Sequence, residues 1–239
     1  MDTIKFNKKN VKMIAHRGLS GLERENTMAA FIAAGNRSYY GIECDVRKTA
    51  DGVFVIMHDA NTNRVANVNK VISETNYKDL KKIELNRLID ESSANYLKIP
   101  TFIEYLDSCL KYRKQAIIEF KTVLTDDDID KILEIIKSRN YLKEVTFISF
   151  HLDNLINFRK KDKTVKMHYL RDSYDEEVLK ALNEYNLDLS INYHNLTKEI
   201  VNEVQNFNHK VGCWTVNDPI NAERLTSWKV DYITSDILE

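Results

Sequence analysis

The chain has 239 residues, a formal net charge of −1, 43% hydrophobic and 30% charged residues, an ordinary globular composition with enough apolar content for one sizeable core. The near-neutral balance supplies no basic face and removes the usual electrostatic basis for a nucleic-acid partner. Three scattered cysteines argue against a disulfide framework, no apolar leader follows Met1–Lys12, and no run approaches the ~20 apolar residues of a bilayer span, so a cytoplasmic protein without stable membrane insertion is expected.

Short apolar, β-branched runs alternate with amphipathic segments. In chain order the predicted strands are Val11–Ala15, Gly41–Val46, Ala116–Phe120, Val145–Phe150, Val165–Leu170, Leu187–Ile191, Lys210–Val216 and Val230–Thr234. The predicted helices are Glu25–Ala34, Phe102–Tyr112, Asp127–Arg139, Asp153–Arg159, Asp175–Glu184, Lys198–Phe207 and Asn217–Ser227. In Asp127–Arg139 the residues Ile129, Ile132, Leu133, Ile135 and Ile136 form one apolar stripe. Ser173 and Thr197 stand where N-caps are wanted.

Alternating strands and helices imply βαβ units and a parallel sheet. Eight strands in a chain of this length predict an α/β fold, the closed (β/α)₈ TIM barrel, for which roughly 250 residues is usual. A doubly wound open sheet meets the same periodicity. Two prolines and six glycines leave no room for a linker, so residues 1–239 are expected to form a single domain.

One stretch breaks the alternation. No helix fits between Glu43 and His58, and Asp51-Gly52 is a strong hairpin turn. A two-residue turn there pairs Ala50 with Val53 and sets Asp45 opposite His58. Glu43, two residues before Asp45, then shares their face, while Cys44 and Asp59 point away, Cys44 into packing and Asp59 to support the loop or orient a neighbour. Residues 60–98 read as a polar, Asn- and Lys-rich insertion with helical potential at Tyr77–Leu85.

Two carboxylates and an imidazole at a strand end are costly to bring together without a counter-charge, since like charges raise one pKa or recruit a cation. Hard oxygen donors favour Mg²⁺ or Ca²⁺. Taken alone, Glu-x-Asp is more often a charged surface hairpin. Other strand ends add to it. His16-Arg17-Gly18 closes the first strand, with an arginine suited to phosphate and a glycine that lets the backbone turn. Glu119 and Lys121 share a face at the end of the third strand, where a plain ion pair is the simpler reading. Trp214 ends the seventh, where an aromatic is more often core than substrate contact. In a TIM barrel the C-terminal strand ends build the site, and four of them here carry groups suited to one task.

The string His16-Arg17-Gly18, Glu25-Asn26-Thr27, Glu43-Cys44-Asp45, Thr49-Ala50-Asp51-Gly52 and His58-Asp59 resembles the signature of glycerophosphodiester phosphodiesterases. Ile99-Pro100-Thr101, Glu119-Phe120-Lys121, Ser149-Phe150, Trp214 to Asn217 and Thr234-Ser235-Asp236 are similar to the family's later motifs in the same order. The resemblance implies a TIM barrel with a small insertion after the second histidine and a bound divalent ion, Mg²⁺ or Ca²⁺, with Mn²⁺ also compatible. It implies a small-molecule substrate, a glycerophosphodiester cleaved to glycerol 3-phosphate and an alcohol. By matching positions, Glu43, Asp45 and Glu119 would ligate the metal and His16 and His58 would be the acid/base pair. Arg17 and Lys121 would hold phosphate, and Trp214 would line the glycerol side. Arg24 in place of a common proline, Phe120 in the Glu-x-Lys motif, and Ser235 and Ile237 near the end depart from the pattern without touching those groups.

A related barrel enzyme acting on a lysophospholipid or another headgroup is the nearest alternative, although the polar insertion favours a water-soluble substrate. A non-catalytic phosphodiester-binding module would lack a key residue, and both histidines and all three carboxylates are present.

Overall fold

The computed structural model describes residues 2–239. Its strands are β1 (Lys12–Ala15), β2 (Gly41–Lys48), β3 (Phe54–Ile56), β4 (Leu85–Asn86), β5 (Ser93–Ala94), β6 (Gln115–Phe120), β7 (Val145–Ser149), β8 (Lys166–Arg171), β9 (Asp188–Asn192), β10 (Val211–Trp214) and β11 (Tyr232–Ser235). The helices are α1 (Met28–Gly35), α2 (Tyr77–Leu80), α3 (Phe102–Tyr112), α4 (Asp126–Lys137), α5 (Leu152–Lys161), α6 (Glu176–Tyr185), α7 (Lys198–Asn206) and α8 (Pro219–Ser227). Strands β1, β2 and β6 to β11 pair in parallel, and β1 pairs with both β11 and β2. The sheet is therefore closed, an eight-stranded barrel, and the open-sheet alternative is excluded. No helix among the described residues is long and apolar enough to cross a membrane.

The predicted elements differ mainly at their ends, for reasons that lie in the caps. In α4 the Thr125 hydroxyl accepts from Asp128 N and the Asp128 carboxylate accepts from Thr125 N, a capping box that starts the helix. Three aspartates in its first turn and Lys137 in its last suit the helix dipole. Thr197 caps α7 as expected, but Asp175, not Ser173, caps α6. Helix α1 starts later than its apolar pattern suggests. Thr27 is its N-cap and Asn26 has φ +56°, so Glu25 and Asn26 belong to the loop after β1.

Side chains alternate across the barrel wall. Outward, they pack under the helices, where Phe147 stacks on Phe158 with ring centroids 4.2 Å apart and meets Phe120 at a tilt with centroids 5.5 Å apart. Inward, Ile14, Ile117, Ile148, Leu170 and Tyr232 form a separate cluster that fills the barrel. Burying each such side chain contributes ~1.5–3 kcal/mol, so the strand ends above them stand on a packed floor.

The β2–β3 hairpin corrects the expected register by one residue. Thr49 N donates to Val53 O, and Val46 pairs with Ile56. Ala50, Asp51 and Gly52 thus make a three-residue loop with Gly52 at φ +80°, the left-handed position such loops require. Asp45 lies opposite Met57, whose N–H donates to Asp45 O at 2.9 Å. His58 comes after the last β3 residue, so strand alternation does not set its direction. The backbone bends there, and the Arg47 guanidinium holds His58 O from Nε at 2.9 Å and Nη2 at 2.6 Å.

The segment between β3 and α3 is more ordered than its polarity suggested. Val55, Met57, Val65, Ala66, Ile72, Leu80, Ile83, Leu85, Ala94, Leu97 and Ile99 form their own apolar cluster, against which Ala29 of α1 packs. Besides a 3-10 turn at Ile72–Glu74, its helical part is the single turn α2 rather than Tyr77–Leu85, because the chain goes on into the small β4–β5 ladder.

Candidate active site

A cavity of about 240 Å³ opens at the C-terminal ends of the barrel strands. His16, Arg17, Glu43, His58, Glu119, Lys121 and Trp214 line it. Asp45, 1% exposed, lies against them, with Arg17 Nε at 3.3 Å and Lys121 Nζ at 3.5 Å. All eight residues singled out in the sequence therefore converge. Alternation puts Glu43 and Asp45 on the inner face of β2, and the β2–β6 register sets Asp45 beside Glu119.

Glu43, Asp45 and Glu119 each bring a carboxylate oxygen within 4.8 Å of the others. Glu43 Oε2 accepts from Arg17 N at 2.7 Å, and Asp45 Oδ2 from Asn26 Nδ2 at 2.7 Å. Glu43 Oε1 and Asp45 Oδ1 are buried with no hydrogen-bond partner. An unpartnered buried oxygen such as Glu43 Oε1 costs roughly 1–3 kcal/mol, more when charged. Burial, with Asp45 and Glu119 alongside, pushes the Glu43 carboxyl well above its usual range. Burial and Asp45 push Glu119 up as well, against Lys121, whose Nζ is 2.6 Å from Glu119 Oε1. Burial acts on Asp45 too, but Arg17 and Lys121 outweigh it and hold that carboxyl below its ordinary value. Three hard-oxygen side chains, with Glu43 Oε1 unpartnered and Asp45 Oδ1 met only by Lys121 Nζ at 3.5 Å, fit a divalent cation.

The two histidines share one design. His16 Nδ1 is 2.7 Å from Asp236 Oδ1, and His58 Nδ1 is 2.7 Å from Asp59 Oδ1. A carboxylate at Nδ1 takes the N–H there and leaves Nε2 as the free nitrogen of the neutral ring. Asp236 is itself fixed by Ser20 Oγ at 2.8 Å and Asn217 Nδ2 at 2.6 Å. Burial lowers the pKa of His58, with Asp45 opposing and Arg17 adding to the shift.

The loop after β1 needs its glycine. Arg17 (φ +53°) and Gly18 (φ +79°) are both left-handed, and a Cβ on Gly18 would sit 2.7 Å from Ala30. This close approach seats the Arg17 side chain between Asp45 and Glu25, whose Oε1 is 2.9 Å from Arg17 Nη1. Facing these charges is an apolar wall of Ile148, Phe150, Leu170 and Trp214, with Phe150 edge-on to Trp214 at 5.7 Å. The Trp214–Thr215 peptide bond is cis.

Asn26, Asp236, Arg47 and Arg64 are among the residues around the site that carry no role in the sequence reading. Asn26 and Asp236 lie inside motifs quoted there, and their partners become visible only across the barrel. Arg47 follows Asp45 by two on the same strand, a spacing that could have drawn attention to it. Arg64 has no local signal, since it reaches its partners through the folded insertion.

The sequence pattern of the glycerophosphoryl diester phosphodiesterase family matches residues 16–239. A glycerophosphodiester phosphodiesterase of Caldanaerobacter subterraneus subsp. tengcongensis is 30% identical over 227 residues, covering 94% of this chain and 93% of its own length. A glycerophosphodiester phosphodiesterase of Thermotoga maritima of known structure is 28% identical, with a TM-score of 0.75 over 95% of this chain and 94% of that one. A phosphodiesterase of Oleispira antarctica, solved with its product sn-glycerol-3-phosphate, shares the fold with a TM-score of 0.88 over 98% of this chain and 96% of that one, at 24% identity. With the family pattern running from the residue after β1 to the last residue, the chain belongs to the glycerophosphoryl diester phosphodiesterase family, a family of hydrolases.

Proposed function

We propose that this protein hydrolyses small glycerophosphodiesters to sn-glycerol 3-phosphate and an alcohol, working as one domain over the whole chain. The observation that carries the reading is the pairing of two carboxylate-held imidazoles with three converging carboxylates in one cavity. The similarity to glycerophosphodiester phosphodiesterases over nearly the full length supports it.

Cleavage of a phosphodiester needs its charge offset, a nucleophile activated and the leaving alkoxide protonated. Arg17 and Lys121 supply fixed positive charge where the phosphoryl oxygens gain negative charge. The guanidinium fork suits two of those oxygens, and the ammonium acts as a point charge. His16 and His58 share the proton transfers: one Nε2 takes the nucleophile's proton, and the other ring, protonated, gives one to the departing oxygen. Glu43, Asp45 and Glu119 would hold a divalent ion, Mg²⁺, Ca²⁺ or Mn²⁺. When bound, that ion offsets phosphate charge and polarises a phosphoryl oxygen. Trp214 and the apolar wall pack the carbon skeleton of the glycerol side.

The test is release of sn-glycerol 3-phosphate from glycerophosphoethanolamine by the purified protein, with His16→Ala and His58→Ala beside it. Turnover by the parent and loss in both variants is expected. No release with any divalent ion would overturn the activity, and near-parental turnover in both variants would overturn the acid/base pair. A lysophospholipid substrate is a second reading. It draws on Leu88, Ile89 and Tyr96, which stand 40%, 81% and 66% exposed on the insertion. Lysophosphatidylcholine in the same assay decides between them.

A further inference from the structure

Arg64 joins the two halves of the site from outside the cavity. Its Nε donates to Asp59 Oδ2 at 2.7 Å, and its Nη1 and Nη2 donate to Glu25 Oε2 and Oε1, both at 2.7 Å. Asp59 bonds His58 Nδ1, and Glu25 bonds Arg17 Nη1. One guanidinium thus ties the partner of a proton-transfer group to the partner of a phosphate-binding group. The tie spans 39 residues of sequence, from the insertion to the loop after β1.

We propose that Arg64 is a positioning residue that fixes His58 and Arg17 relative to each other, an inference that rests on the roles proposed for those two residues. Its side chain is 45% exposed, and those of Glu25 and Asp59 are 16% and 28% exposed. What it supplies is geometry. A bidentate fork on Glu25 and a third bond on Asp59 leave neither carboxylate free to rotate. With Asp59 fixed, the His58 ring keeps Nδ1–H and aims Nε2 into the cavity. With Glu25 fixed, the Arg17 guanidinium stays over Asp45. An ammonium has no fork and cannot serve both carboxylates with this geometry.

The experiment is a set of variants assayed on a glycerophosphodiester, with thermal melting alongside. Arg64→Ala should lower kcat and raise KM, each by about 10-fold or more, the usual cost of losing an outer partner of a functional side chain. Its melting temperature is measured alongside, so that the kinetics are scored on folded protein. Asp59→Asn should reproduce the kcat part and Glu25→Gln the KM part. Arg64→Lys should stay impaired, and added ethylguanidine should restore part of the activity of Arg64→Ala. Parental kcat and KM in Arg64→Ala would overturn the proposal, as would losses matched by its unfolded fraction. A readout independent of turnover is the ¹⁵N spectrum of the His58 ring. The parent should show protonation at Nδ1, and Arg64→Ala a tautomer mixture; an unchanged spectrum would overturn the proposal. If the parent itself releases no glycerol 3-phosphate, the functional reading falls and the spectrum still judges Arg64.

Discussion

His16 and Asp236 meet at 2.7 Å between Nδ1 and Oδ1, joining the end of β1 to the residue just after β11. The seam where the barrel closes thus runs directly under a candidate proton-transfer group. Asp236→Asn keeps the size of the side chain and changes what it offers to the ring. We expect kcat on glycerophosphoethanolamine to fall about 10–100-fold with KM little changed. Steady-state kinetics checks this, and a loss confined to KM would remove the orienting role.

The three-carboxylate cluster leads to two effects of opposite sign. Glu43→Gln removes a buried like charge, so the cation-free variant should melt higher than the cation-free parent. Divalent ions should stabilise the parent and not the variant. At 100 times Kd a ligand adds ~2.7 kcal/mol, and a chain of this size gains ~2–4 °C per kcal/mol. A shift of about 5–10 °C on adding Mg²⁺, Ca²⁺ or Mn²⁺, reversed by chelator together with loss of activity, is the expected result. Differential scanning fluorimetry reads it.

Glu239 ties the two ends of the described chain. Lys5 Nζ and Thr3 Oγ1 reach Oε2 at 2.8 and 2.7 Å, and Ser38 N reaches Oε1 at 2.6 Å. Burial raises the carboxyl, but these partners outweigh it and bring its pKa from 4.5 down to about 2. A depressed acid contributes fully above its unfolded value and loses that contribution as pH falls. The melting temperature should therefore drop between about pH 4.5 and pH 2. Glu239→Gln should melt lower at neutral pH and show a flatter acid limb in the same window.

Phe147 is fully buried between Phe158 and Phe120. Truncating such a ring leaves a cavity the barrel wall cannot fill, and Phe147→Ala should cost about 3–5 kcal/mol. Urea unfolding measures it, with an unchanged m-value if only stability is affected.

The barrel was legible because its repeating units are local: β-branched runs, amphipathic stripes and caps such as Thr125 and Thr197 each act over a few residues. Glu43 and Asp45 were legible as one face because they are two apart on one strand; Glu119 joined the cluster only through the family resemblance, since its place beside Asp45 depends on the pairing of β2 with β6. The hairpin register was not legible. It depends on whether the loop takes two residues or three, and both types accept Asp51-Gly52. The late start of α1 was hidden because Ala29, Ala30 and Phe31 continue an apolar pattern that Glu25 and Asn26 do not visibly interrupt. Asp59, adjacent to its ring, was open to reading as a residue that orients a neighbour, and what stayed hidden is the hold of Arg64 on it from the insertion. Asp236 gave no local sign, because it lies across the barrel seam.

The separate apolar cluster beneath the insertion has a kinetic consequence. Residues packed around Met57, Ile72 and Leu85 can open as a cooperative patch without parting any of the eight barrel strands. Such a fluctuation would carry His58, Asp59 and Arg64 away while Glu43, Asp45 and Glu119 kept their places. Heat would then switch the enzyme off reversibly some degrees before the barrel melts, and amide exchange in the segment from Met57 to Ile99 would report that opening ahead of global unfolding.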